Sequence, residues 1–283
     1  MTASTLTPTL SRTREREQID GARSSAVVIR RGRAVRTATD WLADEVPVAL
    51  SFNGISHAVM LTTPSDLEDF ALGFGLSEGL LKDRTELLGA EESRAGDGIT
   101  LDLEVTAACE MRLKDRRRNM AGRTGCGLCG TEKLEQVRLP LPTFDTGITI
   151  GAQAIARGLR EMKAAQKVQH LTGAVHAAAW CDADGHAQIV REDVGRHNAL
   201  DKLIGAMVRA RVDAKTGFIC VTSRASFEMV QKTAMAGVTT LVAVSAPTAL
   251  ARDTAAECGL CLVGFARDDD FVLYVHPERV TNL

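Results

Sequence analysis

Two cysteines separated by two residues carry the most reactive chemistry in the chain, within Arg123-Thr124-Gly125-Cys126-Gly127-Leu128-Cys129-Gly130. Glycine reaches positive φ without steric cost, so this run reads as a bent loop whose backbone other molecules can approach closely. Just upstream stand Arg112, Lys114, Arg116, Arg117, Arg118 and Arg123, opposed along the segment by Glu110 and Asp115. Cations nearby favour thiolate over thiol, and the thiolate is the nucleophile. Three chemistries compete for Cys126 and Cys129. A zinc site needs about four ligands, usually as two pairs, and Cys109, Cys258, Cys261 and the histidines offer no convincing second pair. Cys258 and Cys261 form a CxxC of their own, but they flank an apolar strand at 259–263 and read as buried core thiols. A thioredoxin-like redox pair opens a helix after a strand, whereas arginines precede this one. The run also fits G-x-G-x-x-G, and the same missing strand argues against a dinucleotide loop. The leading reading is a nucleophilic or sulfur-carrying thiol.

Other polar clusters are weighed against structural uses. Thr172-Gly173-Ala174-Val175-His176-Ala177-Ala178-Ala179 sets His176 in a strand of small residues, where a lone histidine is more often a hydrogen-bonded core residue than a catalyst. Zinc deaminases use H-x-E followed downstream by P-C-x-x-C. Here Ala178 stands at the glutamate position and the CxxC lies upstream, which disfavours deaminase chemistry. Segment 191–202 is dense in polar groups at a strand-to-helix junction. It reads either as a solvated turn with a helix cap, or as an anion or purine site built from Arg196, His197 and Asn198 at the helix start. Thr222-Ser223-Arg224-Ala225-Ser226 is a second strand–loop–helix junction, and Ser223 and Arg224 there suit phosphate. Two such junctions on one α/β layer, with an arginine-rich segment, suggest a large phosphorylated ligand.

The elements that must position these groups can be read in order. Residues 1–25 are polar and read as a disordered tail. One short strand is expected at 27–35, then a hairpin in which 46–52 and 55–61 flank Asn53-Gly54. Thr63-Pro64-Ser65-Asp66 reads as a helix start, with Leu67, Phe70, Ala71, Phe74 and Leu81 on one face. Alternation predicts a strand at 99–105. Residues 26–108 therefore form a smaller α+β region, and 109–146 a basic CxxC loop and linker. From 147 the texture changes to α/β. An amphipathic helix is expected at 149–168, strands at 174–180 and 187–190 around Asp182-Ala183-Asp184-Gly185, and a helix at 195–212. Strands at 217–222, 240–245, 260–265 and 271–275 then alternate with helices at 225–236 and 248–257. This predicts a largely parallel sheet over 147–283.

The totals bound the class. The chain has 283 residues, with 45% hydrophobic and 25% charged, as in an ordinary globular protein, and a net charge of −2 that steers it to neither nucleic acid nor membrane. Aromatics are 4%, too few to stack single-stranded bases. Seven cysteines in so long a chain do not resemble a secreted disulfide framework. Neither a secretory signal nor a membrane span is expected, so a cytoplasmic location follows, where a CxxC is more often catalytic or metal-binding than structural.

Several long motifs in order carry a resemblance: Glu45-Val46-Pro47-Val48, Asn53-Gly54-Ile55-Ser56-His57-Ala58-Val59-Met60, Asp66-Leu67-Glu68-Asp69-Phe70-Ala71-Leu72-Gly73-Phe74, the 125–130 segment, Thr172-Gly173-Ala174-Val175-His176-Ala177-Ala178, segment 191–202, and Arg224-Ala225-Ser226-Phe227-Glu228-Met229-Val230-Gln231-Lys232. Over about residues 26–280 the chain closely resembles the formate dehydrogenase accessory sulfurtransferase family, FdhD. The resemblance implies a fold similar to cytidine deaminases, an α/β three-layer sandwich with a smaller mixed α+β N-terminal part. It implies that a cysteine desulfurase loads a persulfide onto the CxxC segment. That sulfur then passes to the molybdenum cofactor, a bis(molybdopterin guanine dinucleotide), destined for formate dehydrogenase. Cys126 would bear the persulfide with Cys129 as its partner. By the same resemblance Phe265, Ala266, Arg267, Asp268, Asp269 and Asp270 form a cofactor-binding segment, to which His197, Asn198, Ser223 and Arg224 add candidate phosphate and purine contacts. Three consecutive acids are unusual beside phosphates; either Arg267 binds while the acids face water, or an acid accepts from guanine N–H groups. A cofactor with two guanine nucleotide halves suits a homodimer. A pure cofactor-binding chaperone without covalent sulfur chemistry, and a zinc-dependent hydrolase, remain as alternatives.

Overall fold

The computed structural model describes residues 20–120 and 139–283. Cys126, Cys129 and most of the expected tail lie outside the described residues. Chain reversals at glycines organise the N-terminal region. Strand β1 (Ala22–Arg31) turns at Gly32, φ +61°, and returns antiparallel as β2 (Ala34–Ala43). Two long strands thus replace the single short one expected, and residues 22–25, expected in the tail, belong to β1. Their polar composition hid the pairing of Arg23, Ser24 and Ser25 with Leu42, Trp41 and Asp40. Strand β3 (Val46–Phe52) turns through Asn53 and Gly54, at φ 48° and 75°, and returns as β4 (Ile55–Thr62). Two successive positive φ values suit the twist of the paired strands, so the expected hairpin forms.

Helix α1 (Leu67–Ser77) begins after Asp66, not at Thr63-Pro64. Thr63 is committed elsewhere: its Oγ1 accepts from the Val194 N–H at 3.1 Å, and its carbonyl accepts from Lys202 Nζ at 2.9 Å. A 3₁₀ turn (Arg84–Glu86) leads to β5 (Leu87–Ala95) and β6 (Gly98–Val105). The four strands lie in the order β4-β3-β6-β5. One face of that sheet buries Val48, Leu50, Phe52, Leu101 and Leu103 against Leu67, Phe70 and Phe74 of α1. Helix α2 (Ala107–Met120) follows where a basic loop was expected. Its Cys109 and Leu113 join the same core, which explains why residues so rich in cations still fold as a helix. Two of those cations meet carboxylates, Arg112 with Glu86 at 2.5 Å and Lys114 with Glu110.

After β7 (Ile150–Gly151), α3 (Ala152–Ala165) fills most of the helix expected at 149–168; the chain breaks at Gln166, ψ 87°, and a second helix, α4 (Lys167–Thr172), runs beyond that range. The chain then runs β8 (His176–Asp182), β9 (Ala187–Asp193), α5 (Arg196–Arg209), β10 (Gly217–Val221), α6 (Phe227–Met235), β11 (Thr240–Ala243), α7 (Ala249–Cys258), β12 (Cys261–Arg267) and β13 (Asp270–Val275). A final strand, β14 (Val280–Thr281), pairs with β7. The large sheet has the order β13-β12-β11-β10-β8-β9. β10, β11 and β12 are mutually parallel, whereas β8, β9 and β13 join antiparallel. The sheet is thus mixed, because β8–β9 and β12–β13 are joined by tight turns rather than by crossover helices.

Alternating side chains cover both faces of this sheet. Ala179, Cys181, Phe218, Cys220, Val242, Cys261 and Val263 pack on Ile155, Leu159 and Met162 of α3. Trp180, Ile219, Val221, Leu241 and Leu262 pack on α5, α6 and α7. The result is three layers, helix–sheet–helix. The smaller sheet joins them through α1, which crosses α5 backbone to backbone. A Cβ at Gly73 would stand 1.7 Å from the Asp201 carbonyl oxygen, and one at Gly205 1.9 Å from that of Asp69.

Candidate functional site

Parallel strands end on one edge of the large sheet, the edge at which open α/β sheets collect their ligands. Two consecutive junctions there are built alike. β10 leads through Thr222-Ser223-Arg224-Ala225-Ser226 into α6, and β11 through Val244-Ser245-Ala246-Pro247-Thr248 into α7. The two stay in step beyond the strands, with Ile219 opposite Leu241 and Ala225 opposite Pro247. Ser223 therefore matches Ser245, and Ser226 matches Thr248. Backbone bonds lace the edge: Ser245 N donates to the Ser223 carbonyl at 3.3 Å, and Phe265 N donates to that of Ser245 at 3.2 Å. Gly264 is required here by close approach, since a Cβ would meet Pro247 at 2.8 Å.

The helix starts facing this edge differ in how their first turns are satisfied. Thr248 caps α7, accepting from the Ala251 N–H at 3.2 Å. Ser226 occupies the same place on α6 but makes no cap bond, and its buried Oγ has no hydrogen-bond partner among the described residues. The buried Nε of Arg196, at the start of α5, likewise has none. His197 Nε2 lies 2.8 Å from Glu228 Oε2, joining the first turns of α5 and α6. A side-chain hydrogen bond from His197 holds the Glu228 carboxyl below its usual range despite partial burial. His176, opposite Asp193 in the sheet, approaches Thr222 Oγ1 with its Nδ1 at 3.4 Å. Burial lowers its pKa, and the Arg196 and His197 charges lower it further, so a neutral imidazole is favoured. The arrangement combines a helix N-terminus, an unpaired hydroxyl and a guanidinium, which together suit an anion.

Beneath the edge, segment 191–202 is largely spent on holding the molecule together. Asp193 and Lys202 are fully buried and 2.7 Å apart. Asp193 also accepts from Thr62 Oγ1 (2.5 Å), Thr63 N (3.0 Å), Gly195 N (2.8 Å) and Asn198 Nδ2 (3.1 Å). Burial depresses the Lys202 ammonium, and Asp193 opposes that shift. Asp201 pairs with Lys232 at 3.0 Å and accepts from Ser77 Oγ at 2.6 Å; Lys232 also meets Glu78 at 2.7 Å. Burial raises the Asp201 carboxyl, while Asp201 and Glu78 overcome burial to raise Lys232. Arg191 bridges Asp69 (2.7 Å) and Asp66 (3.4 Å). The further bonds of these groups, to Thr62 and Thr63 at the end of β4 and to Asp66, Asp69, Ser77 and Glu78 around α1, tie the smaller sheet and α1 to the large sheet and its helices.

The expected ligand residues divide accordingly. Ser223, Arg224, Phe265 and His197 converge on the edge. Ser223 Oγ donates to the Arg224 carbonyl at 2.9 Å, and Arg224 is exposed. Phe265 is exposed at φ +52°, on an irregularity of β12. Ala266 is buried in the core beneath it. Arg267, Asp268, Asp269 and Asp270 form the exposed β12–β13 turn, Arg267 pairing with Asp270 and Asp268 adopting φ +52°. Asn198 turns inward: its amide donates to the Leu61 carbonyl at 2.8 Å and to Asp193. Sequence reasoning missed Glu228 as the partner of His197 and the Ser245/Thr248 junction, whose strand-Ser-x-x-Ser/Thr-helix repeat was legible. The five described cysteines, Cys109, Cys181, Cys220, Cys258 and Cys261, are free and buried. Burial raises the thiols of Cys109, Cys220 and Cys258, and that of Cys261 to about 11, so Cys258 and Cys261 are the core thiols expected. No group of three or more potential metal ligands occurs among the described residues, and no helix among them is long and apolar enough to cross a membrane.

A family model described as FdhD/NarQ family matches residues 43–281. A protein of Variovorax paradoxus (strain S110) named Sulfur carrier protein FdhD is 63% identical over 244 residues, covering 86% of this chain and 88% of that one. One of Bordetella petrii bearing the same name is 52% identical over 260 residues, covering 91% and 94%. A solved structure described as a putative formate dehydrogenase accessory protein from Desulfotalea psychrophila aligns with a TM-score of 0.72 at 22% identity, over 92% of this chain and 99% of that one. At that identity the likeness is one of fold.

Proposed function

The chain belongs to the FdhD/NarQ family, and from that premise we propose that it carries sulfur for the maturation of a formate dehydrogenase. The observation that carries this reading is the 63% identity to a protein named as a sulfur carrier, in a chain that holds Cys126 and Cys129 two residues apart. The thiolate of Cys126 attacks the outer sulfur of a cysteine desulfurase persulfide. A new S–S bond forms on Cys126, and the desulfurase cysteine leaves as thiolate. The outer sulfur then passes to the molybdenum cofactor, the substrate of the second step. Attack by the Cys129 thiolate on the inner sulfur would release it as sulfide and leave a Cys126–Cys129 disulfide, which a cellular dithiol reduces.

The sheet edge suits the nucleotide ends of that substrate. The first turn of α6, the Ser226 hydroxyl and the Arg196 guanidinium offer donors to phosphate, and neutral His176 adds another. Exposed Phe265 offers an aromatic face beside Ser245. In cells lacking the native protein, Cys126→Ala is expected to abolish formate dehydrogenase activity while the protein stays folded. Retained activity in the Cys126→Ala/Cys129→Ala double variant would instead favour a non-covalent cofactor chaperone. GDP serves as the probe for the edge: Arg196→Ala should weaken its binding at least tenfold, and an unchanged affinity would remove the edge from the account.

A further inference from the structure

The chain that carries Cys126 and Cys129 continues into Leu139-Pro140-Leu141-Pro142-Thr143-Phe144. Proline fixes φ and lacks an N–H, and a residue before proline is held to extended backbone, so the first four positions of this run are stiff. The run belongs to no helix or strand, and its side chains alternate: Leu139 and Leu141 are half-buried, Pro140 and Pro142 exposed. It forms a strap across α6 and α7.

The strap is held at its two ends. Phe144 N donates to the Cys258 carbonyl at 2.9 Å, and a Cβ on Gly259 would stand 2.3 Å from the Phe144 carbonyl oxygen. That end lies against the last turn of α7, on the side of the layer away from the sheet edge. At the other end, Leu139 N donates to Gln231 Oε1 at 3.0 Å. Between the ends a cavity of about 200 Å³ opens, bounded by Leu139, Leu141 and Thr143 on the strap and by Phe227, Thr254 and Cys258 on the helices. The hydrogen bonds at the ends therefore matter more than packing beneath the middle. Gln231 is buried and stands four residues after Phe227, the first residue of α6. Four residues rise about 6 Å, one helical turn. The strap thus climbs from the far end of α7 to within a turn of the α6 N-terminus, where the Ser226 hydroxyl is unpaired.

We infer that Gln231 is a positioning residue for sulfur delivery: by pinning the proline-stiffened strap, it launches the CxxC segment at the sheet edge that takes the nucleotide ends of the cofactor. The inference rests on the sulfur-carrier reading. Loading needs no such aim, because a cysteine desulfurase is a separate protein that approaches the segment from solution. Delivery to a substrate already held at the edge does need it. Cys126 lies thirteen positions before Leu139 and eighteen before Phe144. Without the Gln231 bond the anchor retreats to Phe144, about 15 Å farther from the edge at about 3.1 Å per extended residue. The longer tether lowers the effective concentration about 1.6-fold by its −3/2 power dependence on length. The retreat, set against a flexible span of about 20 Å, lowers it about twofold again. Delivery should therefore fall about threefold.

Gln231→Leu, a side chain of similar size without an acceptor, tests this with three readouts on the full chain. The Leu139 amide should lose its protection from hydrogen exchange. Persulfide loading by a cysteine desulfurase, read by intact mass, should match the native protein. Formate dehydrogenase activity, in cells lacking the native protein and holding the variant at a limiting level, should fall about threefold. Gln231→Glu keeps an accepting oxygen and should stay close to native activity, whereas Pro140→Gly/Pro142→Gly should lower activity with loading intact. A Leu139 amide still protected in Gln231→Leu, full activity with that amide released, or equal losses of loading and activity would overturn the positioning role and leave the carrier reading standing. A native protein that takes up no sulfur would overturn the carrier reading, and this inference with it.

Discussion

Asp193 is where the β9–α5 turn, and with it Arg196 and His197, is fixed to β4. Asp193→Asn keeps the shape of the side chain and removes its charge. Five donors converge on the native carboxylate: Lys202 Nζ at 2.7 Å, Thr62 Oγ1 at 2.5 Å, Thr63 N at 3.0 Å, Gly195 N at 2.8 Å and Asn198 Nδ2 at 3.1 Å. An amide replaces one accepting oxygen with a donor, so either the Oδ1 or the Oδ2 set of donors loses its acceptor. Lys202 would also be left as a fully buried ammonium without a counter-charge. Breaking a buried pair in this way costs about 3–5 kcal/mol. At roughly 2–4 °C per kcal/mol for a chain of this size, the melting temperature should fall by about 6–20 °C. The Lys202→Met single and the double variant complete a thermodynamic cycle in urea unfolding. The pair should couple by at least about 2 kcal/mol, so the double variant loses less than the two singles combined. A loss below about 1 kcal/mol in Asp193→Asn, or additivity within about 0.5 kcal/mol, would refute the view that this buried pair is a main stabilising contact at the base of the β9–α5 turn.

Other expectations follow from the same contacts. Gly205→Ala should destabilise the protein by at least about 3 kcal/mol, since its Cβ would stand 1.9 Å from the Asp69 carbonyl oxygen and backbone cannot yield as a side chain does; a melting temperature within 2 °C of native would contradict the backbone contact of α1 and α5. The folded pKa of His176 is depressed below 6.5 by burial and by Arg196 and His197, so the unfolded chain binds its proton first as pH falls. Stability should therefore decline on acidification from about pH 6.5 until the folded pKa is passed, and His176→Gln should flatten that slope; an unchanged slope would remove His176 as its source. Native-state alkylation, read by intact mass, should label at most Cys126 and Cys129, because the other five of the seven cysteines are buried. Rapid labelling of a third thiol would show that one of those five is open.

What was legible in the sequence was local. Asn53-Gly54 announces its hairpin because both residues must take positive φ, and they do. The strand–helix alternation after residue 147 produced the three layers, since each strand and helix there carries its own period. What escaped was long-range. Lys202 and Lys232 look like surface cations on their helices, and only Asp193, Asp201, Ser77 and Glu78, brought in from other elements, make them buried pairs. Thr63 reads as a helix cap until Lys202 and Val194 claim it. β5 escaped because its sequence, Leu87-Leu88-Gly89-Ala90-Glu91-Glu92-Ser93-Arg94-Ala95, has no period-2 alternation, and only its pairing on β6 makes it a strand. At the site, Ser223, Arg224 and His197 lie on one edge of the sheet, because the strand-to-helix junctions that carry them end there. Asn198 has the same local context and turns inward, for reasons held by β4.

Intact mass after incubation with a cysteine desulfurase and cysteine tests the central claim most directly. The account predicts a reductant-sensitive gain of one sulfur atom that disappears in Cys126→Ala. A protein that gains no sulfur while Cys126 remains open to alkylation would contradict it.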